Sequence, residues 1–97
     1  ITGIEGNKLL PGEINVKCYP NPFGDEISIE VFLPDLTGLS MDIIDQDGRL
    51  IRQLVKDIQV SQGTQIFKWN GKNNQGKTVA SGIYHLKIRT HNKEMNY

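Results

Sequence analysis

Apolar and polar residues alternate along most of this chain, and wherever the spacing is regular it is two, the period of a half-buried β-strand. Ile14, Val16 and Cys18 alternate with Asn15, Lys17 and Tyr19, which starts a strand at Glu13 with the first three on one face. Pro20 ends that strand because it has no backbone donor. Asn21-Pro22-Phe23-Gly24 then reads as a rigid turn, since both prolines keep the preceding residue out of the α region. The clearest strand follows, with Ile27, Ile29, Val31 and Leu33 inward and Ser28, Glu30 and Phe32 between them. After the Pro34-Asp35 break, Leu39, Met41 and Ile43 keep the same period. Asp47-Gly48 signals a hairpin, because glycine tolerates positive φ and aspartate bonds its own turn backbone. The return strand covers residues 49–55, with Ile58 and Val60 in a looser connection closed by Ser61-Gln62-Gly63.

Residues 65–69 form a short strand with Gln65, Phe67 and Trp69 inward, and Trp69 is the largest single apolar contribution. Asn70-Gly71-Lys72-Asn73-Asn74-Gln75-Gly76 is a polar turn that a helix would reject. The last clear strand spans residues 82–89, with Tyr84, Leu86 and Ile88 on one face and Ile83, His85, Lys87 and Arg89 on the other. Six strands with turn signals every 8 to 12 residues predict an all-β fold, a small antiparallel sandwich that wants a seventh strand. The polar tail, apolar only at Met95 and Tyr97, offers a weak one. Residues 1–12, rich in glycine and without a period, read as a linker or N-terminal arm, and residues 13–97 as the sandwich. The inward rows Ile27, Ile29, Val31 and Tyr84, Leu86, Ile88 are expected to meet across two layers, which leaves turns and a bare sheet edge for interaction.

Composition narrows the function classes. The chain has 97 residues, 37% hydrophobic and 23% charged, with 11 basic residues against 11 acidic ones. This is one domain with a thin core and an expected radius of gyration of about 13 Å. Formal neutrality removes the long-range field that collects nucleic acid or anionic lipid, so neither is expected as a partner. The single cysteine, Cys18, forms no internal bridge and reads as a packed core residue. No window approaches the roughly 20 apolar residues that span a bilayer, so direct membrane insertion is not expected. The start lacks the basic and apolar regions of a signal peptide, as a mature protein or an excised domain would.

Candidate chemistry is sparse. A serine or threonine nucleophile needs a base held and oriented beside it, and His85, on an outward face, and His91, in the tail, lack an obvious carboxylate in support. Asp42, Asp45 and Asp47 cluster beside Gly48, with Asp25 and Glu26 in another turn, but the oxygen count and order of a calcium loop are missing and turn chemistry accounts for Asp45 and Asp47. Gly71, Gly76 and Gly82 lack the ending and the helix of a phosphate loop. No enzyme, cofactor or metal is expected. Tyr19, Phe23 and Phe32 lie partly off the inward pattern, as flat rings of a carbohydrate- or peptide-binding module do; the plainer alternative is that Phe23 plugs the open end of the sandwich and Phe32 meets a neighbouring domain.

Four segments carry a resemblance. Tyr19-Pro20-Asn21-Pro22-Phe23, Asp45-Gln46-Asp47-Gly48-Arg49, Trp69-Asn70-Gly71-Lys72-Asn73 and Gly76-Lys77-Thr78-Val79-Ala80-Ser81-Gly82-Ile83-Tyr84 occur in the order found in the C-terminal sorting domain of the bacterial type IX secretion system. Over residues 13–88 the chain also resembles the related immunoglobulin-like domain first named in the flagellar hook-capping protein. The resemblance implies a seven-stranded immunoglobulin-like sandwich, non-catalytic, at the C-terminus of an exported cargo protein of Bacteroidetes. It would be recognised by an outer-membrane translocon, cleaved by a sortase-like peptidase near residues 1–12, and located in the secreted or cell-surface fraction after passage through the periplasm. The motif residues are then architectural: Tyr19, Pro20, Asn21, Pro22, Phe23, Asp47, Gly48, Trp69, Gly71, Gly76, Gly82 and Tyr84. Phe32, Met95 and Tyr97 are left as possible contacts. Two alternatives stand beside the sorting role: a structural accessory domain of an exported hydrolase or adhesin, and a carbohydrate-binding module.

Overall fold

The computed structural model describes the backbone of residues 6–10, 14–20, 25–90 and 94–96, and side chains within residues 14–20 and 25–90. The strands are β1 (Gly6–Leu10), β2 (Ile14–Pro20), β3 (Ile27–Leu33), β4 (Thr37–Ile44), β5 (Leu50–Val60), β6 (Gly63–Trp69), β7 (His85–Thr90) and β8 (Glu94–Asn96). They form two antiparallel four-stranded sheets in the orders β1-β2-β3-β6 and β5-β4-β7-β8, the all-β sandwich that the alternation predicts.

Two strands go beyond the six that alternate clearly, and one of them is the seventh that such a sandwich wants. β1 falls in the period-free stretch read as a linker or arm and is placed by backbone pairing, with Lys8 opposite Val16 and Leu10 opposite Ile14. β8 supplies the weak strand offered by the tail, with Met95 opposite Ile88.

The core lies between β3 and β4 with their neighbours. Ile29, Val31, Leu33, Leu39, Met41, Ile43, Leu86 and Ile88 are fully shielded, and Ile27, Cys18 and Trp69 nearly so. Burial of each large side chain is worth about 1.5 to 3 kcal/mol against leaving it in water. Tyr84 is partly buried against the same cluster, so the two rows expected to face each other across the layers do so.

The outer face of β4 departs from simple alternation. Ser40 and Asp42 are buried there as well, because β5 and β7 flank β4 and fold polar side chains over it. Arg89 on β7 donates from its guanidinium to Asp42 Oδ2 at 3.1 Å, while Asp42 Oδ1 is buried and accepts no hydrogen bond from the described residues.

The two strands at one side of the sandwich differ in regularity. β6 pairs with β3 in unbroken register from Ile27 opposite Trp69 to Leu33 opposite Gly63. β5 slips against β4 three times, so that it carries extra residues and extends through Val60, past the end that the alternation gave it. At the first slip Ser40 faces both Lys56 and Asp57, and Asp57 takes a left-handed φ of 46°. The Ser40 hydroxyl fixes that bulge: it accepts from Asp57 N–H at 2.9 Å and donates to Asp57 Oδ1 at 3.2 Å. Bulges of this kind twist an edge strand and spoil it as a template for further pairing.

Candidate functional site

The polar residues that the sequence singled out gather at the loops joining β4 to β5 and β6 to β7. In the first loop Asp45 Oδ1 accepts from the backbone N–H groups of Asp47 and Arg49, both at 2.9 Å. Gly48 N–H closes on the Asp45 carbonyl at 3.1 Å, and Gly48 has φ +84°, where a side chain would be strained. The backbone donations from Arg49 and Asp47, led by Arg49, with the adjacent guanidinium, hold the Asp45 carboxyl below the usual aspartate range.

The second loop repeats this arrangement. Asn73 Oδ1 accepts from Gln75 and Lys77 N–H at 3.0 Å each, Gly76 N–H bonds the Asn73 carbonyl at 2.9 Å, and Gly76 has φ +80°. Asn74, at its tip, grips β5. Its N–H donates to the Ile51 carbonyl at 3.0 Å and its Oδ1 accepts from Gln53 N–H at 2.9 Å. The outer edge of β5 at Ile51 and Gln53 is therefore covered.

Behind this loop Trp69 and Tyr84 brace the ends of β6 and β7. Their rings meet edge to face, with centroids 5.5 Å apart and planes at 72°, an arrangement worth about 0.5 to 1.5 kcal/mol beyond the buried area. Trp69 Nε1 donates to the Lys72 carbonyl at 3.0 Å. The Tyr84 hydroxyl donates to the Ala80 carbonyl four residues upstream, as a tyrosine at the corner of an immunoglobulin-like sandwich does.

Catalytic geometry does not assemble among the described residues. Ser40 is engaged with Asp57 in the β5 bulge, and His85 lies exposed on β7. Cys18 is buried, and loss of hydration pushes its thiol up to about 12, which leaves no thiolate for chemistry at neutral pH. The acidic cluster is divided: Asp42 faces Arg89, while Asp45 and Asp47 face Arg49 at 3.1 and 3.5 Å. No group of three potential metal ligands forms among the described residues.

The outer face of the β1-β2-β3-β6 sheet holds Tyr19 and Phe32. Tyr19 donates its hydroxyl to Glu30 Oε1 at 2.7 Å, a bond that raises its pKa, and the Lys17 ammonium lies 5.6 Å from its ring centroid. Phe32 is 40% exposed. Tyr19 faces Ser28 across the strands, four residues from Phe32 along β3, a separation of about 13 Å.

The FlgD Ig-like domain family matches residues 23–94, which include β3 through β7 and both repeated turns. The chain belongs to the FlgD Ig-like domain family. It is 32% identical over 92 residues to the basal-body rod modification protein FlgD of Salmonella typhimurium, and equally to that of Salmonella typhi. The match covers 92% of this chain and 37% of each relative, so the chain spans little more than a third of their length.

This membership corrects the sorting expectation. The resemblance to the immunoglobulin-like domain of the hook-capping protein holds. The type IX sorting role does not, nor do its outer-membrane translocon and sortase-like peptidase as partners or the Bacteroidetes cargo setting, since both family and relatives are FlgD proteins. A physical reason for the confusion is visible in the motifs. Asp47, Gly48, Trp69, Gly71, Gly76 and Tyr84 all serve turns and corners: Gly71, with φ +75°, accepts Val79 N–H at 2.9 Å. Such residues specify a sandwich and carry no address. The accessory domain of a hydrolase or adhesin and the carbohydrate-binding module are corrected by the same membership. For the latter, the ring of Tyr19 is also flanked by Lys17 and its hydroxyl is bound by Glu30, well away from Phe32.

The remaining candidate residues of this chain divide in two. Pro20 is exposed at the end of β2, opposite Ile27. At Gly82 an added Cβ would meet only Tyr84 Cε2, at 4.0 Å, an ordinary contact, so no steric demand for glycine arises there. Asn21, Pro22, Phe23 and Tyr97 lie outside the described residues, as does the side chain of Met95. Sequence reasoning gave Asp45 to turn chemistry, which its two accepted N–H groups bear out, and passed over Asn73 and Asn74 as individuals. The signal that finds Asp45 and Asn73 together is the spacing shared by Asp45-Gln46-Asp47-Gly48-Arg49 and Asn73-Asn74-Gln75-Gly76-Lys77: a side-chain acceptor, a glycine three residues on, then a basic residue.

Proposed function

We propose that this domain is a non-catalytic structural module of a flagellar rod or hook assembly protein, acting in an exported location outside the cytoplasm. The observation that carries this reading is the match of residues 23–94 to the FlgD Ig-like domain family, with 32% identity to the Salmonella proteins named for basal-body rod modification. The geometry supports a scaffold: its polar groups are spent on turns, on one strand clamp and on a bulge. Its contribution would be a rigid body attached to the rest of a longer assembly protein.

A chimera tests this. The matching segment of the Salmonella typhimurium relative is replaced by this chain, and swimming and rod or hook completion are measured beside a deletion of the segment. Partial or full motility of the chimera, with loss of motility in the deletion, is the expected result. A chimera that accumulates and is exported normally yet leaves the cells immotile would overturn the proposal.

A further inference from the structure

The two strands at the same side of the sandwich are treated unequally. β5 is bulged three times and gripped by Asn74. β6 keeps an unbroken register with β3 over all seven residues, and no described residue outside β3 bonds its backbone. A regular, uncovered edge offers a row of outward N–H and C=O groups for another strand. We infer that β6 is a self-association edge, on which a second copy of this chain adds its own β6 in antiparallel register centred on Ile66.

The choice of occupant rests on self-complementarity. Antiparallel pairing of Gly63–Trp69 with itself about Ile66 sets Ile66 against Ile66, Gln65 against Phe67, Thr64 against Lys68 and Gly63 against Trp69. No like charges meet. Ile66 is 57% exposed, and the pairing covers it with its own copy. Phe32 lies diagonal to it, since Glu30 faces Ile66 and Phe32 faces Thr64; diagonal neighbours are within reach of an aromatic ring, so the two copies extend one apolar strip across the junction. With 11 basic and 11 acidic residues, the chain has no net charge to hold copies apart. Lys68, which would guard this edge in other registers, faces a threonine here. The inference is independent of the flagellar reading.

Crosslinking and sedimentation of the purified 97-residue chain test it. Ile66→Cys forms an intermolecular disulfide under mild oxidation, because the two positions face each other. Thr64→Cys does not, because each copy lies about four residues from its mate along the strands. Buried Cys18 stays unreactive in both. Sedimentation equilibrium gives concentration-dependent association of the unmodified chain, weakened about tenfold or more by Ile66→Lys, which sets two cations opposite each other; the unchanged unfolding midpoint of that variant shows the fold intact. An unmodified chain that stays monomeric at millimolar concentration, or Thr64→Cys crosslinking as readily as Ile66→Cys, would overturn the inference.

Discussion

Asp45 and Asn73 head two turns of the same geometry, one with a carboxylate and the other with an amide. In each, the side-chain oxygen accepts two backbone N–H groups at 2.9 to 3.0 Å. The backbone N–H of each also donates to the carbonyl four residues on, Arg49 at 3.0 Å and Lys77 at 2.8 Å.

This equivalence makes the residues exchangeable. Asp45→Asn and Asn73→Asp are expected to keep the fold, whereas Asn73→Ala removes the single oxygen that accepts two hydrogen bonds and costs about 1 to 2 kcal/mol. The charge adds a pH dependence at Asp45. Its folded pKa is depressed, so its contribution is present above the unfolded aspartate value of about 3.9 and is lost as pH falls through the folded value. Urea unfolding between pH 2 and pH 6 should show a shallower acid limb in Asp45→Asn than in the parent chain.

Tyr84 separates a hydrogen bond from a ring contact. Tyr84→Phe keeps the edge-to-face meeting with Trp69 and removes the bond to Ala80, a loss of about 1 kcal/mol. Tyr84→Ala removes both and costs about 2 to 4 kcal/mol. Guanidinium unfolding followed by Trp69 fluorescence measures each, and a Phe variant as damaged as the Ala variant would contradict this division.

Arg89 is the one described group bonded to the Asp42 carboxylate, whose other oxygen is buried without a bond. Arg89→Ala strands that carboxylate and is expected to cost about 1 to 3 kcal/mol. Adding Asp42→Asn to the same chain should recover part of the loss, because the stranded charge is gone. A double-mutant cycle by thermal or urea unfolding gives the coupling directly.

Cys18 reports the opening of the core. Its thiol is raised from 9.0 to about 12 by burial, so alkylation by iodoacetamide at pH 8 should be slow in the folded chain and fast in urea. The sign of its pH effect is opposite to that of Asp45. A raised folded pKa contributes stability that is fully present below the unfolded value and is lost as pH rises from about 9 toward about 12. Cys18→Ala should remove that alkaline loss.

Much of the sandwich was legible because one face of each central strand is apolar at every second residue. Ile27, Ile29, Val31 and Leu33 could be read inward from sequence and are buried. The outer burial of Ser40 and Asp42 was not legible, since it depends on Asp57 in a bulge and on Arg89, which lies 47 residues from Asp42. The alternation alone ends β5 at residue 55, because its bulges break the pattern that marks a strand. β1 has no alternation of its own and is defined by the backbone of β2. The polar loop is legible as a turn, but its hold on β5 through Asn74 depends on bringing together residues 21 positions apart. The turn motifs located the fold correctly and misdirected the function, because glycines and aspartates in tight turns answer to backbone geometry.

The pairing order also constrains the chain as it is made. β3 waits for β6, and β4 waits for β7, to fill their second sides. A ribosome that has just released Val60 has therefore delivered both central strands with one flank of each still open. Nascent chains halted there, or fragments cut there, should stick to one another far more readily than chains that run on through Thr90.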